Sequence, residues 1–253
     1  MQETNIIIPQ APADALPRAS KLFSEAWKIY QDRFKTLIII SLMPMLAFLA
    51  AGIIGGGGAA LGIKLHVNSF GLGAIGIIFA LAALIFLIYL GVWGTVAGII
   101  AIKDSGEKID WKEAYRRSKP LINVFFTTGL LAGLAVMGGL ILLIVPGIIF
   151  GLWFSQSNYV VVEEGLANTA ALKRSKHYVK GRLMEVIGKY VYIGLITLGL
   201  YILVGIFISL VGALSGLKQQ ELSWISNIFS LIWTPMVTVY GYLLYKALKQ
   251  SRP

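Results

Sequence analysis

The stretch PLINVFFTTGLLAGLAVMGGLILLIVPGIIFGLWFSQSNYVVV, Pro120–Val162, carries no charged side chain. A helix needs roughly 20 apolar residues to cross a bilayer, so this run is about twice one span. Basic segments bound it on both sides, Lys103–Lys119 before and Lys173–Lys189 after. Lys and Arg accumulate in loops that stay in the cytoplasm. Two cytoplasmic flanks require an even number of crossings. Pro146-Gly147 lies inside the run. Proline removes a backbone donor and glycine permits a tight turn. The reading is one helix over 121–143, a very short external turn at Pro146-Gly147, and a second helix over 147–163. The second helix is short for a span and carries Ser155, Gln156, Ser157 and Asn158. A re-entrant hairpin satisfies the same parity.

Working outward, Thr36–Ile63, Leu65–Ile102, Tyr190–Leu217 and Leu222–Tyr245 are also free of charge, with His66 neutral. Each is long enough to span. Of the 22 Lys and Arg residues, all but Lys64 and Lys218 fall in four segments, 18–35, 103–119, 173–189 and 246–252. If those four are cytoplasmic, six spans result, over 37–61, 70–102, 121–143, 147–163, 190–215 and 223–247. The expected class is all-α. It is a polytopic membrane protein of six transmembrane helices in three hairpins, with amphipathic cytoplasmic interfacial helices. Both termini are cytoplasmic, in the inner or plasma membrane of the cell. Residues 1–16 read as a flexible tail and 17–253 as one domain. The first 35 residues lack the apolar core of a cleavable signal peptide, so the first span serves as an uncleaved signal.

Composition excludes several classes. Hydrophobic residues make up 57% of the chain and charged residues 13%. The charged share is about half that of a soluble domain, too little to cover a water-facing surface. The net charge of +10 is spread along membrane-adjacent segments. Anionic lipid headgroups explain it better than nucleic acid does. There is no cysteine, which excludes disulfides, thiol chemistry and thiolate metal sites. No acid/base, nucleophile or metal constellation stands out and no cofactor is implied, so a non-enzymatic protein is expected.

The basic segments carry helical patterns. Phe23, Trp27, Tyr30 and Phe34 share one helical face, with Ser24, Lys28, Gln31 and Lys35 on a polar face beside it. Asp110 and Glu113 have the spacing of a capping box ahead of Ala114 and Tyr115. Leu172, Ser175, Val179, Leu183 and Val186 form a stripe flanked by Lys173, Lys176 and Lys180. Such helices lie in the headgroup region. Glu25-Ala26-Trp27-Lys28 matches Glu113-Ala114-Tyr115-Arg116, and Ala114–Lys119 matches Ala171–Lys176. Three units of interfacial helix plus hairpin are one explanation. Chance recurrence in basic helices is the other.

Between Pro146 and Arg182 the chain reads Pro146-Gly147-Ile148, Trp153-Phe154-Ser155, Glu164-Gly165, Ala171-Leu172-Lys173-Arg174-Ser175 and Lys180-Gly181-Arg182. This order resembles the membrane domain attached to some bacterial glycerophosphoryl diester phosphodiesterases. It is similar to a wider group of small stand-alone prokaryotic membrane proteins as well. The Ser-x-x-Trp element of Ser24 and Trp27 fits the same layout. The resemblance implies a prokaryotic source and six spans, and marks Pro146, Gly147, Glu164, Gly165, Ser175 and Gly181 as structural motif residues. It implies no hydrolase, because that activity belongs to a separate soluble barrel for which this chain has no room. The only histidines, His66 and His177, fall on opposite sides of the membrane in the expected topology.

Each candidate site has a plain alternative. Lys173, Arg174, Lys180 and Arg182 are candidate contacts for anionic lipid headgroups, worth about 1 kcal/mol per cation near the surface. The same residues serve as topology markers. Glu163 and Glu164 read either as a cation or proton site or as carboxylates opening the next helix beside Lys173 and Arg174. Their boundary position favours the second. Ser155–Asn158 line a path or bond neighbouring helices, and the latter is favoured. No Asp, Glu, Lys or Arg lies mid-span, which argues against an ion-coupled carrier. Gly55–Gly58 lacks the Gly-Lys-Ser/Thr of a phosphate loop. Gly94/Gly98, Gly129/Gly133, Gly147/Gly151 and Gly212/Gly216 have the spacing of close helix contacts. The expected role is structural or organising, through membrane lipids or through a membrane-protein partner or homo-oligomer. The alternative is a transporter or channel-like protein for a small or lipidic substrate, with Pro146–Asn158 lining its path.

Overall fold

The computed structural model describes residues 16–64 and 69–251, without side chains for 47–49, 51, 54–55, 57–64 and 69–75. The flexible tail expected over 1–16 therefore lies almost wholly outside the described residues, as does His66. Every regular element among the described residues is helical. In chain order these are α1 (Ala19–Asp32), α2 (Phe34–Lys64), α3 (Ser69–Lys103), α4 (Trp111–Ser118), α5 (Ile122–Leu142), α6 (Ile144–Phe154), α7 (Ser157–Glu164), α8 (Asn168–Val179), α9 (Leu183–Ser215) and α10 (Ser223–Ser251). Short 3-10 turns flank α4.

Five helical stretches among the described residues are long and apolar enough to cross a membrane. They are Gly76–Lys103, Trp111–Leu142, Ile144–Glu164, Leu183–Ser215 and Ser223–Ser251. The described apolar part of α2 is Phe34–Leu46.

The reversal between α5 and α6 falls on a single extended residue, Leu143 (φ −166, ψ 154). The expected turn at Pro146-Gly147 is corrected by three residues. Pro146 sits in the first turn of α6, where a missing N–H breaks no helical bond. Gly147 allows close approach and forms no turn. A Cβ there would lie 2.4 Å from the Leu140 side chain, and one on Gly139 would lie 2.9 Å from the Gly147 Cα. Sequence spacing overstates such contacts elsewhere. Gly94 faces Pro44 at 3.0 Å, whereas a Cβ on Gly98, Gly129, Gly133 or Gly151 would meet nothing within 4 Å.

The short helices pack on the long ones, in a register offset from the expected one. The buried residues of α1 are Leu22, Ala26 and Tyr30, while Trp27 and Phe34 are exposed. The Tyr30 hydroxyl donates to the Ile232 carbonyl at 2.7 Å, and the Phe23 ring meets Tyr192 edge-on. Asp110 caps α4 by accepting from the Trp111 N–H at 2.7 Å. Glu113 does not close a capping box. Its carboxylate takes Arg116 and Arg117 instead. The expected stripe from Leu172 to Val186 is interrupted at Lys180–Arg182, so Leu183 and Val186 belong to α9.

The core gathers at the basic end of the bundle. Buried there are Leu37 and Ile40, Val96–Ile102, Val160–Val162, and most of Met236–Leu248. Toward the opposite end Ile77, Ile85, Leu134, Ile141, Leu203 and Leu214 are exposed. Arg33, at the α1–α2 joint, is buried and donates through Nη2 to the Ile109 carbonyl. Burial pulls its guanidinium below the ordinary range, and Asp104 and Asp110 act in the other direction.

Candidate functional site

The stretch Pro146–Arg182 runs from the opposite end of the bundle, at Pro146 and Gly147, to the basic end, where α7 and α8 lie. The helix running from Ile144 breaks at Ser155-Gln156, which separates α6 from α7. A break leaves carbonyl and N–H groups without helical partners, and these are costly when buried. Ser175 of α8 meets both needs. Its hydroxyl donates to the Trp153 carbonyl at 2.6 Å and accepts from the Gln156 N–H at 3.2 Å. Gln156 is fully buried and donates to the Tyr190 hydroxyl at 2.8 Å. Ser155 and Ser157 bond back to the carbonyls of Leu152 and Phe154. Lys176 stands 3.9 Å from the centre of the Trp153 ring.

Helix α7 closes on Gly165 (φ 65), a left-handed position that favours glycine. Gly181 (φ 87) has the same role between α8 and α9. Asn168 joins α8 to α5. Its N–H reaches the Thr128 hydroxyl at 2.8 Å, and its side-chain oxygen accepts from Thr127 at 2.7 Å.

Glu163 and Glu164 end α7, whereas the expectation had them opening the next helix. The correction reverses the dipole argument, because a helix C-terminus disfavours an anion. Hydrogen-bond donors and cations compensate. Glu164 accepts from the Tyr178 and Tyr245 hydroxyls, each at 2.7 Å, and from Arg174 Nε at 3.0 Å. Lys249 lies 3.8 Å away. Glu163 accepts from the Tyr242 hydroxyl and pairs with Lys246 at 3.3 Å. Glu164 raises the Arg174 guanidinium above its ordinary range. Burial, aided by the bond to Glu164, pushes the Tyr178 phenol up to about 12. These carboxylates clamp α7 to α8 and α10.

Sequence reasoning missed the tyrosines. Tyr242, Tyr245, Lys246 and Lys249 are spaced i, i+3, i+4 and i+7, which puts them on one helical face. That spacing was the available signal.

The four candidate lipid cations divide. Lys173 and Lys180 are exposed on or beside α8. Arg174 is held by Glu164 and lies over the Tyr178 ring at 4.8 Å. Arg182 is 9% exposed, and its Nη1 is buried without a hydrogen-bond partner. Among the described residues no three His, Asp or Glu side chains gather as metal ligands.

A cleft of about 670 Å3 opens elsewhere, between α2, α3 and α10. Ser41, Pro44, Gly94, Thr95, Thr234 and Pro235 are among its walls, and no residue of Pro146–Asn158 lines it. Pro44 and Pro235 stand inside their helices. Each leaves the carbonyl four residues earlier without its helical donor. The Tyr115 hydroxyl replaces one, donating to the Ile40 carbonyl at 3.0 Å.

The chain matches no family model, no curated protein and no solved structure. The roles of the motif residues are accordingly read from geometry. Pro146 opens a helix, Gly147 permits a close contact, Glu164 clamps, Ser175 staples a break, and Gly165 and Gly181 take left-handed backbone.

Proposed function

We propose that this chain is a non-enzymatic, six-span protein of the cell membrane, with both termini and all four basic segments in the cytoplasm, that acts by organising lipid. The sixth span in this reading is α2, which runs for 31 residues. The kinship of Pro146–Arg182 to the phosphodiesterase-associated membrane domain belongs to the same reading. One observation carries it. The packed core lies at the basic end, while the helices present exposed aliphatic side chains over the rest of their length. Lys173 and Lys180 are exposed at that basic end and hold anionic headgroups.

Native mass spectrometry after gentle extraction tests this. Retained anionic lipid should fall in K173Q/K180Q. Retention of a protein partner with no lipid would replace the reading with that of an accessory subunit. Cleavage of a glycerophosphodiester by the purified chain would overturn its non-enzymatic part. Because the chain has no cysteine, single cysteines at Lys173 and Gln219 report topology cleanly. Labelling of both from the same side of the membrane would overturn it.

A second reading, a carrier for a lipidic substrate, is favoured by the cleft between α2, α3 and α10. Transfer of labelled lipid between the leaflets of vesicles containing the protein tests it.

A further inference from the structure

The cleft stands at a definite depth. Pro44 follows the start of α2, Gly94 precedes Lys103, and Thr234 precedes Lys246, each by roughly 15 Å at a rise of 1.5 Å per residue. Half a hydrocarbon core is about 15 Å, so the cleft runs from the basic end, at Leu37 and Ile102, to near the bilayer midplane at Pro44, Gly94 and Thr234. Its mouth faces outward, since Met45, Thr95, Asn227 and Thr234 are exposed. Its volume falls within the roughly 300–1,000 Å3 of small-molecule sites.

The chemistry of its walls is selective. None of the described lining residues is Asp, Glu, Lys or Arg. A phosphate or carboxylate at this depth would therefore lack a counter-ion, and an unpaired charge there is expensive. The walls are not purely aliphatic, however. On α10, Asn227, Ser230, Thr234 and Thr238 lie at i, i+3, i+7 and i+11, one helical face, and Ser41 and Thr95 stand on the facing helices. Thr95 and Thr238 satisfy their hydroxyl protons on their own helices, at the carbonyls of Gly91 and Thr234. Their oxygens remain able to accept. Leu231 also lines the cleft, and Pro235 has no N–H to give its carbonyl. Acceptors, the Leu231 carbonyl among them, and donors, the Asn227 amide among them, thus both line an uncharged, lipid-accessible slot. The complementary ligand has aliphatic chains, no charge and a hydroxyl proton to donate.

We propose that the cleft between α2, α3 and α10 is a binding site for an uncharged glycerolipid with a free hydroxyl, that is, a diacylglycerol. Its hydroxyl lies against the Ser/Thr face of α10, and its chains leave through the mouth into the bilayer. The proposal shares with the lipid-organising reading only the placement of these helices in the membrane. It is independent of Lys173 and Lys180.

The test uses the full chain in phosphatidylcholine vesicles doped with a diazirine-bearing diacylglycerol. After illumination, labelled peptides are mapped by mass spectrometry. Residues 37–45, 91–102 and 227–238 should be labelled about tenfold above the exposed face of α9 over Leu195–Leu214, a factor corresponding to a modest specific affinity. G91L and G98L fill the slot, and each should abolish that excess. A Cβ at either position meets nothing within 4 Å, and an unchanged midpoint of unfolding in detergent separates filling of the slot from a general loss of fold. T234V keeps the shape and should lower the excess about threefold, as for one lost hydrogen bond. Uniform labelling around the bundle, unchanged by G98L, would overturn the proposal. Equal labelling by a diazirine-bearing phosphatidylglycerol would overturn the requirement for an uncharged head. Loss of anionic lipid binding in the native spectra would instead count against the lipid-organising reading alone.

Discussion

The two ends of the bundle are built by different rules. At the basic end Leu244 is 0% exposed, and tyrosine, carboxylate and cation side chains connect α7, α8 and α10. At the other end Ile141 is 83% exposed and Leu214 81% exposed, with the Gly139/Gly147 contact as a local exception. Leu244 and Ile141 are both aliphatic, so the hydrophobicity of the residue does not decide which of them is buried. In lipid, apolar surface gains nothing by leaving the solvent, and helices associate through close packing and hydrogen bonds. The basic end has both, and over much of the other end the lipid serves as the packing partner.

This contrast can be broken by mutation. The largest effect is expected for Glu164→Ala, which strands Arg174, Tyr178 and Tyr245. Breaking such a set costs about 4 kcal/mol, read as a lower midpoint of unfolding in mixed detergent micelles. An unchanged midpoint would remove the clamp from the account. Leu244→Ala comes next, at about 3 kcal/mol from lost packing. Its counterpart Ile141→Ala should change stability by less than about 0.5 kcal/mol. Equal effects of the pair would erase the distinction between the ends.

Gly147→Ala drives a methyl group into Leu140 and should cost about 2 kcal/mol. Gly133→Ala, one helix away with open space around it, should be neutral or slightly stabilising. Ser175→Ala removes the staple at the α6–α7 break, for about 1 kcal/mol. Faster hydrogen exchange at the Gln156 amide should accompany it. An unaltered Gln156 amide would mean that the break is held by other contacts.

Much of the fold is legible in the residues. The charge-free runs place the long helices, because an apolar stretch of that length has no other common use. The basic segments locate the short helices between them. The candidate site is less legible. Glu163 and Glu164 stand out as acids at a boundary, but their partners Tyr242 and Tyr245 are about 80 positions away, where local periodicity does not reach. The register of α1 was offset for a related reason. The aromatic residues from Phe23 to Phe34 mark one face, yet the residues α1 buries are Leu22, Ala26 and Tyr30, through contacts with distant helices.

By itself the sequence determined where the membrane-length helices lie, since the bilayer acts on each segment separately through its length and its charge. Only the tertiary structure decided that the core gathers at the basic end, that Pro146 opens a helix, that Arg174 pairs with Glu164 and Arg182 is buried while Lys173 and Lys180 are exposed, and that α2, α3 and α10 part around a neutral cleft. Those outcomes depend on which helices meet and how closely. In a chain that is apolar on nearly every face, periodicity carries almost no record of that choice.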